Sequence, residues 1–109
     1  EFFPNGDEIV AKVSEPKGHQ RYLPSVDILF SSSAAVFGDR VLGVVLTGMG
    51  NDGAMGTRAI KSAGGKVFAE AEESCVVFGM PKEAIATGLV DLIVPLPLVC
   101  KEILHDCGY

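Results

Sequence analysis

Apolar and polar positions along the chain alternate between two periods. Residues 9–14 (IVAKVS) switch apolar and polar after an Asn5-Gly6-Asp7 turn, the signature of a half-buried strand. Residues 15–21 (EPKGHQR) are polar, hold Pro and Gly, and read as a loop. Pro24-Ser25 then opens a segment in which Val26, Leu29, Phe30, Ser33, Ala34 and Phe37 recur at helical spacing, with Gly38 ending the run.

Residues 41–46 (VLGVVL) are continuously aliphatic, as expected of a strand covered on both faces of a parallel sheet. A glycine-rich turn follows, then a helix over 54–63 closed by Gly64-Gly65, then a strand over 66–70 (KVFAE). Together these span about 30 residues, the size of one βαβ unit. Residues 74–80 are ambiguous between strand and helix. Pro81 opens a short helix that Gly88 stops, and residues 90–94 (VDLIV) form a third strand. Pro95 and Pro97 break that strand before a closing helix over 98–107, with Val99, Ile103 and Leu104 inward. Alternating strands and helices predict an α/β fold: a mainly parallel, doubly wound (Rossmann-like) sheet with helices on both faces.

Composition narrows the function classes. With 109 residues, of which 48% are hydrophobic, much apolar surface would stay exposed unless something covers it. The chain also begins at Glu1, so the expectation is a single segment, 1–109, incomplete relative to a larger domain. Fourteen acidic against nine basic residues give a net charge of −5, and no basic cluster offers a footprint for nucleic acid. No apolar run is long enough for membrane insertion. Cys75, Cys100 and Cys107 form no C-x-x-C pair, so neither a disulfide framework nor a metal site is expected. Reduced thiols suit a cytoplasmic protein, and Cys100 and Cys107 fall on one helical face suited to apolar packing.

The candidate chemistry lies in Thr47-Gly48-Met49-Gly50-Asn51-Asp52-Gly53. Gly48-x-Gly50-x-x-Gly53 satisfies the spacing of a dinucleotide-binding fingerprint, with Glu70 placed as a ribose-binding acid. Asp52 argues against that reading. Its carboxylate would repel a pyrophosphate by about 4 kcal/mol at ~4 Å and an effective dielectric of ~20, more than the ~2 kcal/mol a helix terminus supplies. Asp52 could instead cap the helix that follows, or stand as a catalytic group at the carboxyl end of a strand; the two roles are compatible.

Residues 46–54 resemble the signature of the CheB chemotaxis methylesterases. Pro24-Ser25-Val26-Asp27 resembles a helix start of that family, residues 74–85 resemble its Ser-Cys-Val-Val-Phe-Gly-Met-Pro segment, and Ala63-Gly64-Gly65 sits at the matching distance between. The family usually has His-Arg before the Pro-Ser-Val-Asp element, where Tyr22-Leu23 stand here, with His19 and Arg21 nearby.

The resemblance implies the C-terminal part of a catalytic domain that hydrolyses glutamate methyl esters on chemoreceptors and deamidates receptor glutamines. It implies a Ser-His-Asp triad without a cofactor, the cytoplasmic domains of methylated chemoreceptors as partners, and in many members an upstream receiver domain. Asp52 matches the family's catalytic aspartate, which orients the histidine, and the backbone N–H of Met49 matches an oxyanion-hole donor. The nucleophile and base fall in segments with no match here. Ser31-Ser32-Ser33 lies inside a predicted helix, and neither His19 in a polar loop nor His105 on the last helix suits a replacement base. The chain alone is therefore expected to be inactive. A third class, a non-catalytic interaction module, would expose Val77, Phe78 and Met80 to a partner, against a core role for the same residues. Calorimetric titration with NAD and NADP separates the first two classes: no saturable heat is expected, and a saturable isotherm would restore the nucleotide reading.

Overall fold

A computed structural model describes residues 1–12 and 25–109. Expectations that fall on residues 13–24, including His19, Arg21 and the end of the first predicted strand, lie outside the described residues. The chain opens with an antiparallel hairpin of β1 (Phe2–Asn5) and β2 (Glu8–Ala11) around the expected turn. Only the second of these strands is legible from alternation, because the first is interrupted by Pro4. The hairpin leans on α1 (Val26–Phe37): the Phe2 amide donates to Ser32 Oγ at 2.9 Å, and the Phe2 and Phe37 rings meet edge to face.

The central sheet holds β3 (Leu42–Val45), β4 (Lys66–Glu70) and β5 (Leu92–Val94), all parallel and in the order β3-β4-β5. Helix α2 (Ala54–Ser62) links the first two strands and α3 (Met80–Ala86) lies between the last two. The continuous aliphatic run at 41–46 is thus a parallel strand, as its pattern predicts. Strand β5 is shorter than its hydrophobic run because Asp91 takes over the start of the ladder. Its amide donates to the Val67 carbonyl and its carboxylate accepts from the Val67 amide, both at 2.8 Å. Burial alone would raise the Asp91 pKa, but hydrogen bonds from Lys61 and Val67 and the charges of Lys61 and Lys66 bring it below the ordinary value.

One face of the sheet carries the main core. Phe30, Ala34, Val45, Ile60, Val67 and Ala84 pack together, so α1, α2 and α3 share this side. Strand alternation sends Lys66, Phe68 and Glu70 to the other face. There α4 (Leu96–Asp106) is tied at both ends: Lys66 Nζ meets Asp106 at 2.6 Å, and Ser74 Oγ joins Glu70 to the Leu96 amide. Helices therefore occupy both faces. Helix α4 starts earlier than residue 98 because Pro97, in its first turn, gives up an N–H that has no helical acceptor there. Val99 is buried as expected, but Leu104 is 47% exposed, and Cys100 and Cys107 also face outward. The stripe of α4 that touches the sheet is narrower than the apolar residues suggest.

Phe30 reaches its place because two neighbours have no side chain. A Cβ on Gly56 of α2 would meet Phe30 Cβ at 2.5 Å, and one on Gly43 of β3 would meet the Phe30 ring at 3.1 Å. The contact between α1 and α2 is set by this close approach. Alanine at 56 should thus destabilise the protein by about 1–2 kcal/mol in urea unfolding, overpacking outweighing the ~1 kcal/mol that helix propensity favours for Gly→Ala. A stabilised Gly56→Ala variant would mean that the helices have room to separate.

Candidate active site

The glycine turn lies at the carboxyl end of β3, where an α/β sheet presents its ligand groups. A second loop, residues 74–79, runs beside it. Thr47 Oγ1 accepts from the Val77 amide at 2.8 Å and donates to the Val77 carbonyl at 3.1 Å, while the Gly48 amide donates to the same carbonyl at 3.0 Å. The ambiguous segment 74–80 is therefore neither strand nor helix for most of its length. It makes a single parallel bridge, Gly48 to Phe78, before α3 begins.

These contacts orient the peptide between Gly48 and Met49. Its carbonyl oxygen accepts from the amides of Gly79 at 3.0 Å and Met80 at 2.8 Å. In a trans peptide the N–H points opposite the C=O, so the Met49 amide is aimed away from that loop. Met49 itself is 78% exposed. Met80 packs against the core beneath the turn, its sulfur where a Cβ on Gly48 would have to stand. Of the apolar residues proposed for a partner surface, Met80 and Phe78 are thus half-buried and Val77 is exposed.

Asp52 is buried at 4% exposure. It does not cap α2. Gly53 occupies the cap position at φ +107°, a conformation that favours glycine, and Asp52 stands one residue too early to reach the amides of α2. Its carboxylate instead caps α1. Oδ2 accepts from the Val26 amide at 2.6 Å, and Oδ1 accepts from the Asp27 amide at 2.8 Å and from Ser25 Oγ at 3.3 Å. Ser25, the N-cap residue, uses the same hydroxyl to accept from Ile28.

The amides of α2 are met from the opposite direction. Asp27 Oδ1 accepts from Gly53 at 2.9 Å and from Gly56 at 2.7 Å. The two aspartates exchange helices: each satisfies the orphan donors at the start of the other's. Neither Ser25 nor Asp27 stood out as a site residue in the sequence. The available signal was two acceptor side chains at the start of one helix and another acid just before a second.

Among the described residues Glu70 is the other buried carboxylate, at 1% exposure. Its Oε1 accepts from the Thr47 amide and its Oε2 from Ser74 Oγ, both at 2.8 Å, so it anchors the start of the glycine turn. Burial pushes the neighbouring Cys75 thiol up, as does the charge of Glu70, which keeps the sulfur protonated. These placements set aside the nucleotide reading. The N-terminus of α2 already holds an internal anion, Asp27, and the acid expected to bind ribose is enclosed. Two of the three serines of α1 are equally committed: Ser32 and Ser33 are buried and donate to the Leu29 carbonyl, whereas Ser31 is exposed on the helix. His105 is exposed near the end of α4. Among the described residues, no group of His, Cys, Asp and Glu could hold a metal ion.

A family model described as CheB methylesterase matches residues 3–103. A protein-glutamate methylesterase/protein-glutamine glutaminase of Geobacter sulfurreducens is 58% identical over 107 residues, 98% of this chain and 29% of that protein. A protein of the same description from Bordetella pertussis is 52% identical over 97 residues, 89% of this chain and 27% of that protein. The crystal structure of the Thermotoga maritima CheB methylesterase catalytic domain superposes with a TM-score of 0.90 at 31% identity. The match takes in 95% of this chain and 55% of that domain. The chain thus spans under a third of the length of these curated relatives and about half of the solved domain.

The tight contact between loop and turn is open to test. A Cβ on Gly79 would lie 2.6 Å from the Gly48 carbonyl oxygen and 2.9 Å from the Gly50 nitrogen, both backbone atoms. Gly79→Ala should therefore lower stability by about 1–3 kcal/mol and shift the amide resonances of Met49 and Gly50. Unchanged resonances at both positions would show that the two segments are less tightly joined.

Proposed function

The chain belongs to the CheB methylesterase family, and on that premise we propose that it forms the C-terminal part of a catalytic domain that hydrolyses glutamate methyl esters and deamidates glutamines on chemoreceptors. The observation that carries the reading is a buried, fully oriented carboxylate beside an aimed backbone amide at the carboxyl end of a parallel strand. Asp52 is the acid of a Ser-His-Asp triad, and Met49 supplies an oxyanion-hole N–H. The serine and the histidine come from parts of the longer protein beyond this chain, so the segment alone is inactive.

The chemistry uses each group once. The serine oxygen attacks the ester carbonyl carbon while the histidine takes the serine proton. Asp52 accepts the Nδ1–H of that histidine, holds its tautomer and stabilises the imidazolium that forms. An ionised carboxylate has about four lone-pair sites; among the described residues three are taken, by Val26, Asp27 and Ser25, and on this reading the imidazole takes the other on Oδ2. As the carbonyl oxygen gains negative charge, the Met49 amide donates to it without having to reorient. Collapse of the tetrahedral intermediate expels methanol from an ester, or ammonia from an amide, with the proton returned by the imidazolium. Water then releases the acyl group by the same steps.

The substrates on this reading are the methylated cytoplasmic domains of chemoreceptors, and the protein acts in the cytoplasm. No helix among the described residues is long and apolar enough to cross a membrane. In the complete protein, Asp52→Asn should lower kcat by up to ~10⁴-fold, because an asparagine amide selects the wrong histidine tautomer. The assay follows methanol release from methylated receptor per folded enzyme. Wild-type turnover in that variant would leave Asp52 as a helix cap and nothing more.

A further inference from the structure

We propose that Asp27 is a positioning residue for the esterase reaction, acting through Asp52. This rests on the assignment of Asp52 as the triad acid. The inference comes from the exchange of carboxylates between α1 and α2. Asp52 is aimed by the first amides of α1, at Val26 and Asp27. Those amides aim it correctly only while the start of α1 stays in register with the turn that carries Asp52. Asp27 maintains that register. Its Oδ1 takes two amides, Gly53 and Gly56, from the turn and from the first turn of α2.

The two links form a closed loop: main chain of 26–27 to side chain of 52, and side chain of 27 to main chain of 53 and 56. The peptide joining Asp52 to Gly53 completes it on one side and the backbone of Asp27 on the other. Rotation of Asp52 about χ1 breaks its bonds to the start of α1, and sliding of the turn along α1 breaks bonds at both helix ends. Ser25 Oγ, which bonds Asp52 Oδ1 at 3.3 Å, gives the longest of the contacts on that carboxylate and does not tie the two helices from the side of α2. Without Asp27, the polar link from the α2 side is lost, and Asp52 has both to orient the histidine and to carry the remaining carboxylate link between the turn and α1. A shift of about 1 Å in a group of this kind can reduce turnover on the order of 10²-fold.

The test uses the complete methylesterase, with a serine-reactive probe counting functional sites so that loss of folded protein is not read as loss of rate. Asp27→Ala should lower kcat per site by 10- to 100-fold with KM within threefold. It should also move the acidic limb of the pH profile of kcat/KM to lower pH, because a misaimed Asp52 stabilises the imidazolium less. Asp27→Asn keeps an oxygen for the Gly53 and Gly56 amides and should recover most of both effects. A merely structural role would lower the melting temperature and the number of sites while leaving the pH limb and the rate per site alone. That result overturns the proposal. If the alanine variant does not fold, Asp27→Glu decides. Its extra methylene displaces the turn, so a tenfold loss of kcat supports the proposal and a rate within twofold of wild type overturns it. Asp52→Asn is assayed alongside: full activity there defeats the triad assignment itself, whereas a loss there with normal Asp27→Ala kinetics defeats only the role of Asp27.

Discussion

Two helix N-termini facing one another, each capped by the other's aspartate, hold the functional end of this protein. The start of an α-helix leaves backbone donors unpaired, and burying them without acceptors is costly. Here the donors of α1 go to Asp52 and those of α2 go to Asp27. The arrangement also gives two neighbouring carboxylates four backbone N–H dipoles between them, which offsets their mutual repulsion. Because each bond crosses between helices, neither helix can move without the other. The packing of Phe30 against Gly56 depends on that alignment, and so does the aim of Asp52.

The other side of the glycine turn is held by a different carboxylate. Glu70 grips the Thr47 amide, and through Ser74 it also reaches the first amide of α4. A turn rich in glycine would otherwise be free to take many conformations. With Asp27 at one end and Glu70 at the other, and with residues 77–80 paired along it, the turn has a single course. This is the preorganisation an oxyanion donor needs, since an amide that must reorient during the reaction contributes less to the rate. The same anchoring makes the turn unfit for a nucleotide despite its glycine spacing. Of the amides that would hold a phosphate at the start of α2, those of Gly53 and Gly56 are already bonded to Asp27.

Two edges of the described sheet, β3 and β5, carry exposed apolar residues: Leu46 beyond the first, Leu92 and Ile93 in the second. Such edges are ordinarily covered or paired. The solved relative is a larger domain, of which this chain matches 55%. On the proposed reading the site has the same character: Asp52 and the Met49 amide are its acid and oxyanion donor, and the serine and histidine come from elsewhere in the longer protein.

Much of the scaffold is legible in the linear pattern. The aliphatic run at 41–46, the KVFAE strand and the glycine stops at 38 and 64–65 are local signals, set by side-chain burial and backbone sterics within a few residues. They account for the parallel strands and the helices between them, and the spacing of the glycine turn marks the site. Tertiary structure decided what the acids do. In the linear pattern Asp52 reads as a cap for the helix that follows it or as a catalytic acid, Glu70 as a ribose-binding acid only if the turn held a nucleotide, and Asp27 as part of a helix start. Each in fact bonds to a segment more than 20 residues away in the chain. A carboxylate's partner is chosen by which unpaired amides the fold brings within about 3 Å, and no period or local propensity carries that information.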